Sequence, residues 1–405
     1  MRASARNPWL VFAVVFASGV VMMMGQYKVA PLMGTLVDYF DVDAAVGGWL
    51  MSAFSFAGIA LGIPAAIILG KAGARRAGTI AIGCSAVGNV AGMLATEETI
   101  AVLIVARVLE GVGVAVLGVV APAVIARLFD ERRQGLPLGI WSTWIAAGML
   151  FSYPVAVPLA DAFGTWKAVW CLCAVLSTLT EILYFCIVRP PEREACRNGR
   201  EAQARRPFAA GRSFYALIAA YVFFSSAMAA FNTYAPAYLQ YGLGASATAA
   251  SLLSTFISAG ALLGGLAAGA IVQKTQRPLW TMRAGLVAYG AIFLWAFGFP
   301  LEAAAPLLAL VGFIKVFCPT SVYDAVPRFV GPSDVGMAMG IVSVAQNIGM
   351  TLGPPAIGAA LGSLSSASWG SASGVLVALC ALGLAFAAAA RSPQRSDSRA
   401  RQPDA

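Results

Sequence analysis

The sequence predicts an all-α integral membrane protein of twelve transmembrane helices, arranged as two pseudo-symmetric six-helix bundles. Two numbers indicate a membrane protein: 60% of the 405 residues are hydrophobic and only 11% are charged, whereas soluble domains carry about 25% charged residues. A third observation is that the apolar residues form runs long enough to cross the ~30 Å hydrocarbon core of a bilayer. A water-soluble fold is therefore not expected.

Twelve apolar runs, separated by charged or Pro- and Gly-rich breaks, predict the spans. The first six runs cover residues 8–30, 46–69, 77–94, 100–129, 136–160 and 166–188. The second six cover residues 214–238, 247–272, 279–299, 303–326, 336–361 and 370–390. The first run follows Arg2 and Arg6 but is longer than the apolar core of a signal peptide. It is therefore expected to remain as the first span.

Basic residues determine the predicted orientation. Placing the amino terminus in the cytosol puts most of the 27 Lys and Arg residues in cytosolic connections, as the positive-inside rule requires. Both termini are then cytosolic, and we expect a multi-pass protein of a bacterial inner membrane. The net charge of +9 follows from these connections, so the expected partner is the lipid bilayer and not a nucleic acid.

A charged stretch divides the predicted spans into two halves. We expect an amino-terminal bundle at 1–188, a cytosolic linker at 189–213, a carboxyl-terminal bundle at 214–390 and a disordered cytosolic tail at 391–405. An internal repeat supports this division. Its landmarks are Ala30-Pro31 with Ala235-Pro236, Gly62 and Lys71 with Gly265 and Lys274, and Gly139 and Gly148 with Gly340 and Gly349. Paired six-span halves are typical of secondary transporters.

Two short motifs connect the chain to a known family. The connection AIILGKAGARR after span two contains a pattern of glycines and cations formed by Gly70, Lys71, Gly73, Arg75 and Arg76. Lys274 and Arg277 keep part of this pattern in the second half, and span four contains RVLEGVG, with Arg107, Gly111 and Gly113. By these motifs the chain resembles the major facilitator superfamily, although Ala66 replaces the first glycine of the loop pattern.

The resemblance implies the major facilitator fold, a transport activity and a gating role for the loop residues. The stretches GQYKVAPL in span one and QNIGMTLGPP in span eleven also resemble the bacterial branch that contains cyanate and nitroimidazole permease relatives. Span five has Ser152-Tyr153 where the antiporter signature of drug exporters has Gly-Pro. That departure argues against drug/proton antiport. We expect a monomer.

Three cations lie at membrane depth: Lys28, Arg107 and Lys315. Each costs at least ~2.5 kcal/mol at the bilayer centre, so each should face a cavity or a partner. Together with nearby polar and aromatic residues they predict a site for a small anion such as a carboxylate or nitrate-like ion. The other candidate substrate-binding residues are Gln26, Tyr27, Trp141, Trp144, Asn232, Tyr234, Gln346 and Asn347.

Each assignment has a structural alternative. Lys28 can instead extend toward the outer membrane surface, and Arg107 can pair with Glu110 or a backbone carbonyl to stabilise the bundle. The amides and tryptophans can pack between helices. Since the chain has no histidine, proton coupling would use a carboxylate: Glu110, Glu181 or Asp324. Asp324 can instead pair with Arg328, and exchange of one anion for another needs no protonatable group.

The leading functional prediction is a secondary transporter that moves a small solute by alternating access, with protons or a counter-anion as possible coupling partners. The sequence has no Walker-type GxxxxGK[ST] motif, no CxxC pair and no histidine, so we expect no cofactor, no metal site and no enzyme activity. The alternatives are a proton-coupled exporter of drug-like compounds, a membrane-embedded enzyme and a transport-inactive solute sensor.

Overall fold

Helices make up almost the whole computed structural model, which describes residues 7–62, 64–130, 133, 135–188, 208, 210–331, 334–364 and 369–391. The first eight helices are α1 (Pro8–Tyr27), α2 (Met33–Phe40), α3 (Ala44–Leu61), α4 (Pro64–Met93), α5 (Ile100–Leu128), α6 (Gly135–Trp141), α7 (Trp144–Phe163) and α8 (Lys167–Ile187). The next seven are α9 (Arg212–Ala237), α10 (Ala247–Thr275), α11 (Pro278–Phe293), α12 (Ala304–Lys315), α13 (Phe317–Ala325), α14 (Val335–Leu361) and α15 (Trp369–Ala389). Most of the predicted linker (189–207 and 209) and the predicted tail from 392 onward lie outside the described residues.

Ten helical stretches of the described residues are long and apolar enough to cross a bilayer. This confirms the prediction of an all-helical membrane protein. The two remaining predicted spans, 77–94 and 279–299, lie in α4 and α11. α4 also holds the end of the preceding span, and α11 has only 16 residues, so neither forms a separate long apolar helix.

The sequence predicts continuous helices at 46–69, 136–160 and 303–326, and the structure interrupts each of them. α3 ends before Pro64, whose ring cannot donate the hydrogen bond that would continue the helix. Between α6 and α7, the hydroxyls of Ser142 and Thr143 donate to backbone carbonyls of the preceding turn, which favours a break there. Pro319 follows the break between α12 and α13 and leaves the carbonyl of Lys315 without its helical donor.

The connection after span two turns at Gly73. This residue has φ 75° and ψ 160° inside α4, so the two helical parts of α4 meet at a sharp bend. Such a positive φ is accessible to glycine and costly for residues with a side chain. The requirement explains the central glycine of the loop motif.

The same close approach of two helices occurs in both halves of the sequence. A Cβ atom added at Gly111 on α5 would collide with the backbone carbonyl of Phe54 on α3. A Cβ atom added at Gly312 on α12 would collide with the carbonyl of Ile257 on α10 in the same way. Because both pairs are related by offsets of about 200 residues, the geometry agrees with the internal repeat.

Chain order divides the helices into two sets. The amino-terminal set contains α1–α8 and the carboxyl-terminal set contains α9–α15; the main contacts between them run through α3 with α14 and α7 with α10. Hydrogen bonds join the sets at the end of the molecule that carries α2, which we name the α2 end. There, the Ala44 N–H donates to the Gly362 carbonyl (2.9 Å), and the Tyr234 hydroxyl donates to the Ala44 carbonyl (2.5 Å).

The α2 end is the closed end. Residues 25–34, which lead from α1 into α2, and residues 229–239 at the end of α9 are all buried. Near the opposite end, which carries Pro8 and Arg391 and which we name the terminal end, Gln346 and Asn347 on α14 are only half-buried. Within the described residues, the hydrogen bonds between the two sets lie at the α2 end or at mid-depth. The sets are therefore fastened together from the α2 end to the middle of the molecule.

Candidate functional site

A buried ionic group lies inside the amino-terminal set, and we name it the charge cluster: Lys28, Asn89, Arg107 and Glu110. The Lys28 ammonium donates to both carboxylate oxygens of Glu110 (3.0 and 3.1 Å) and to the side-chain oxygen of Asn89. Arg107 Nη1 lies 2.5 Å from Glu110 Oε2. The side chains of Lys28, Arg107 and Glu110 are 0% exposed, so the cluster has no direct access to solvent.

Arg107 on α5 forms hydrogen bonds with α1 and α3 at the point where α1 ends. Its Nη1 donates to the Gly25 carbonyl (2.7 Å), its Nη2 to the Gln26 carbonyl (2.9 Å) and its Nε to the Leu50 carbonyl on α3 (3.2 Å). The planar guanidinium provides several donors in a fixed arrangement. Arg107 therefore satisfies backbone carbonyls of α1 that have no helical partner, because α1 stops after Tyr27.

Aromatic faces complete the surroundings of the two cations. The Lys28 ammonium lies 4.1 Å from the ring centroid of Trp170, and the Arg107 guanidinium lies 4.7 Å from that of Phe54. Buried charges are stable only when they are paired and hydrogen-bonded. The structural alternative for Arg107, a pair with Glu110 and backbone carbonyls, is therefore what the structure contains. The alternative that Lys28 extends to the membrane surface is wrong.

Lys315 has a different environment, between the two sets. Its Nζ lies 3.5 Å from Asn232 Oδ1 on α9 and 4.0 Å from Met149 Sδ on α7, and the residue is 6% exposed. No carboxylate oxygen of the described residues lies within 4.0 Å of this ammonium. Among the described residues, the polar contacts of the buried Lys315 side chain are thus with neutral groups.

Tyr153, in the amino-terminal set, is hydrogen-bonded to residues of the carboxyl-terminal set next to Lys315. Its hydroxyl donates to the Asn232 carbonyl (3.0 Å), its carbonyl accepts from the Ser251 hydroxyl, and its ring meets that of Tyr27 with centroids 6.4 Å apart. We use the name Lys315 site for this group of residues: Lys315, Asn232, Met149, Tyr153 and Tyr27. The site brings α1 and α7 of one set against α9 and α12 of the other.

Several predicted substrate-binding residues lie elsewhere. Trp141 and Trp144 stack with centroids 4.6 Å apart and pack against Gly19 on α1. Tyr234 donates to Ala44 at the α2 end. On α14, the Gln346 side-chain oxygen accepts from the Tyr323 hydroxyl (3.4 Å), while the Asn347 amide donates to the Ser343 carbonyl (2.9 Å) and faces Gly58 on α3. Gln26 is buried and offers its carbonyl to Arg107.

The three candidate coupling acids are also separated. Glu110 belongs to the charge cluster. Glu181 on α8 is half-buried and lies against Gly83 on α4. Asp324 pairs with Arg328 (2.6 Å), and both side chains are more than one third exposed, so the structural alternative for Asp324 is present in the structure.

The predicted gating-loop residues lie at the terminal end. Arg75 Nε donates to the Phe185 carbonyl at the end of α8 (3.0 Å) and its guanidinium lies over the Phe185 ring. The other cations are exposed: Lys71, Arg76, Lys274 and Arg277. Gly70 lies within α4, before the bend at Gly73. In the carboxyl-terminal set, Arg283 donates to the carbonyls of Ala387 and Ala390 at the end of α15 (3.0 and 2.6 Å). Arg75 and Arg283 thus each stabilise the carboxyl end of another helix.

Sequence reasoning missed Asn89, Trp170, Met149 and Tyr153. Asn89 and Trp170 belong to helices distant in sequence from Lys28, and no spacing pattern connects them. Met149 and Tyr153 stand four residues apart and so share one face of α7. That spacing was the available signal for these two residues.

Comparisons with known proteins agree with this architecture. The model of the Major Facilitator Superfamily matches residues 15–354. The chain is 26% identical to a probable inositol transporter of Arabidopsis thaliana over 49% of its length, and 26% identical to the sphingosine-1-phosphate transporter SPNS2 of Danio rerio over 58% of its length. The matches span only 35% and 48%, respectively, of these relatives' own lengths.

Solved structures show the same fold. A bacterial homologue of the human lysosomal transporter Spinster, crystallised in an inward-facing and occupied conformation, superposes with a TM-score of 0.74 at 16% identity and covers 94% of this chain and 96% of that one. Its inward-facing, unoccupied form superposes with a TM-score of 0.75 at 14% identity. The narrower likeness to cyanate and nitroimidazole permeases stays a prediction. The family match over most of the chain identifies it as a member of the Major Facilitator Superfamily.

Proposed function

We propose that the chain is a secondary transporter that carries a small anion across a membrane by alternating access. In this proposal twelve spans form two six-helix bundles, 1–188 and 214–390, joined by a cytosolic linker at 189–213 and followed by a tail at 391–405. The protein acts as a monomer in a bacterial inner membrane with both termini cytosolic. The transporter relatives and the shared fold support membrane transport.

The observation that carries the anion proposal is the environment of Lys315. Removing a charged ammonium from water is unfavourable unless an opposite charge compensates it. The charge cluster contains a carboxylate for its cations, whereas within the described residues the polar contacts of the Lys315 ammonium are with an amide oxygen and a thioether. A solute carrying a negative charge would provide the missing counter-charge.

The position of Lys315 suits a transport site. The ammonium lies between α7 and α9, which belong to different sets, and a solute bound there would contact both moving parts. Solute sites of secondary transporters lie near mid-membrane, between the repeats. Asn232 and Tyr27 would orient the anion, and Gln346 and Asn347, half-buried on α14, would line its path toward the terminal end.

Closure of the α2 end supports a cytosol-facing state in the proposed orientation. With the termini in the cytosol, the α2 end faces outward, so the Lys315 site would exchange solute with the cytosol. Opening the outer side would require breaking the hydrogen bonds of Ala44 with Gly362 and Tyr234.

The charge cluster acts in this proposal as the internal brace of the amino-terminal bundle. Lys28 and Arg107 remain candidate solute ligands only in a conformation that exposes them, because Glu110 and backbone carbonyls occupy their donors here. The proposal includes exchange against a counter-anion, which needs no protonatable group; if transport is instead coupled to protons, the candidate carboxylates are Glu110, Glu181 and Asp324.

Tracer uptake into proteoliposomes tests the proposal. Small carboxylates, cyanate, nitrate and nitrite would be offered to the wild-type protein and to Lys315→Ala, with Arg212→Ala as control because Arg212 is an exposed cation at the terminal end and has no predicted role in binding or gating. We expect uptake of at least one anion, abolished by Lys315→Ala and preserved by Arg212→Ala. Equal uptake by all three proteins would refute the site. No anion uptake by folded wild-type protein would refute the anion function and favour hydrophobic export substrates.

A further inference from the structure

An apolar cavity of about 310 Å³ opens beside the end of α11 in the carboxyl-terminal set. Its walls include Phe231, Ala291, Trp295, Leu307 and Val311. Trp295 is 71% exposed, whereas Phe231 and Val311 are buried at 1% and 2%. The cavity thus leads from the outer surface of the helices inward, and its volume is at the lower end of the range for ligand pockets.

The inner wall of this cavity shares two helices with the Lys315 site. Leu307, Val311 and Lys315 follow one another at intervals of four residues on α12, so they lie on one face of the helix. Val311 and Lys315 are four residues apart, a rise of about 6 Å along the helix. On α9, the cavity-lining residue Phe231 directly precedes Asn232, whose side chain contacts the Lys315 ammonium.

We infer that this cavity holds the aliphatic tail of an amphiphilic anion whose charged head group binds Lys315. The inference rests on the proposed anion function and names its substrate class. Three features carry it: the apolar walls, the buried cation one turn away, and an entrance beside an exposed tryptophan. In the proposed membrane orientation, the exposed surface around Trp295 would contact lipid, so a tail would enter the cavity without crossing water.

This arrangement should make the affinity for an anion depend on the length of its aliphatic tail. Each buried methylene improves binding by a factor of roughly two to four. An anion without a tail uses only the Lys315 site and gains nothing from the cavity. Longer tails therefore bind more tightly until the cavity is full.

The experiment uses n-alkyl sulfates from ethyl to octyl, which stay ionised at all accessible pH values. Their dissociation constants are measured by ligand-induced thermal stabilisation of the full-length protein in lipid nanodiscs. Ala291→Phe fills the cavity from its exposed side, and Ala284→Phe is the matched control. Ala284 is exposed on the same face of α11, two turns away, and does not line the cavity.

In wild type and Ala284→Phe, we expect the dissociation constant to fall roughly two- to fourfold per methylene. In Ala291→Phe the constant for ethyl sulfate is unchanged and the dependence on chain length is lost. A similar dependence in Ala291→Phe and wild type, or no dependence in wild type, would overturn the inference. Because binding is measured apart from uptake, a failure of the protein to take up carboxylates, cyanate, nitrate or nitrite counts against the transport function alone.

Discussion

The hydroxyl of Tyr153 on α7 donates to the backbone carbonyl of Asn232 on α9, across 3.0 Å between the two sets of helices. Neither residue is more than 1% exposed. This bond therefore joins the sets at the depth of the Lys315 ammonium, which contacts the side chain of the same asparagine. Any movement that separates α7 from α9 must break it.

Removing that hydroxyl should shift the balance between conformations. We expect Tyr153→Phe to weaken the closed α2 end by about 0.5–1.5 kcal/mol, the net value of one hydrogen bond. Spin labels at the exposed positions Asp161 and Glu302 would report a larger population of long distances between the sets. Tyr184→Phe is the control, because Tyr184 donates to Ala74 within one set. Identical distance distributions in both variants would contradict the prediction.

Lys315→Met should separate function from stability. The substitution removes a buried charge without a carboxylate partner and keeps a long apolar side chain, so we expect an unchanged or raised melting temperature together with loss of anion uptake. Lys315→Arg keeps the charge and should retain part of the uptake. A large fall in melting temperature for Lys315→Met would indicate that the cation has a structural counter-charge.

Removing the carboxylate of the charge cluster should lower the stability of the protein, in contrast to the effect expected for Lys315→Met. Glu110→Gln leaves Lys28 and Arg107 buried without a carboxylate, and we expect a destabilisation of about 3–5 kcal/mol. Asp324→Asn removes the acid of an exposed pair and should cost less than about 1 kcal/mol. Thermal melts of the purified variants compare the two. If Glu110→Gln and Asp324→Asn have the same melting temperature, the charge cluster does not stabilise the amino-terminal bundle.

The close helix contact at Gly111 gives a fourth prediction. Gly111→Ala places a methyl group against the Phe54 carbonyl and should destabilise the protein by about 1–3 kcal/mol. Gly118→Ala on the same helix meets no atom within 4 Å and should stabilise it by about 0.5–1 kcal/mol. If Gly111→Ala and Gly118→Ala change the melting temperature in the same direction, the close contact between Gly111 and the Phe54 carbonyl does not determine the effect of an added methyl group.

Hydropathy predicted the fold to within a few residues of most helix ends. The first residues of α1 and α5 and the last residue of α14 agree with the predicted spans, because the cost of exposing polar groups to lipid limits where a helix can stop. The breaks before Pro64 and after Lys315 were missed because continuous hydrophobicity hides them. The short helix α2 was also missed, since it lies in what the sequence suggested was a connection.

The candidate site was less predictable. The structure buries Lys28, Arg107 and Lys315. The sequence offered Glu110 as a partner for Arg107, but it could not show that Lys28 shares this carboxylate or that no carboxylate oxygen of the described residues lies within 4.0 Å of Lys315. That distinction depends on the lateral packing of α1, α5 and α12, which hydropathy does not encode. Asn89 and Trp170 complete the surroundings of Lys28, and only the folded chain brings them there.

Burial of the charge cluster also determines how the protein responds to its medium. Dissolved ions weaken exposed pairs such as Asp324 with Arg328, because the Debye length shortens from about 30 Å at 0.01 M to about 3 Å at 1 M. Counter-ions cannot reach Glu110, whose side chain is 0% exposed. The joint where α1 ends and the chain turns into α2 therefore keeps its geometry in dilute and in concentrated salt, while the exposed contacts at the terminal end vary with ionic strength.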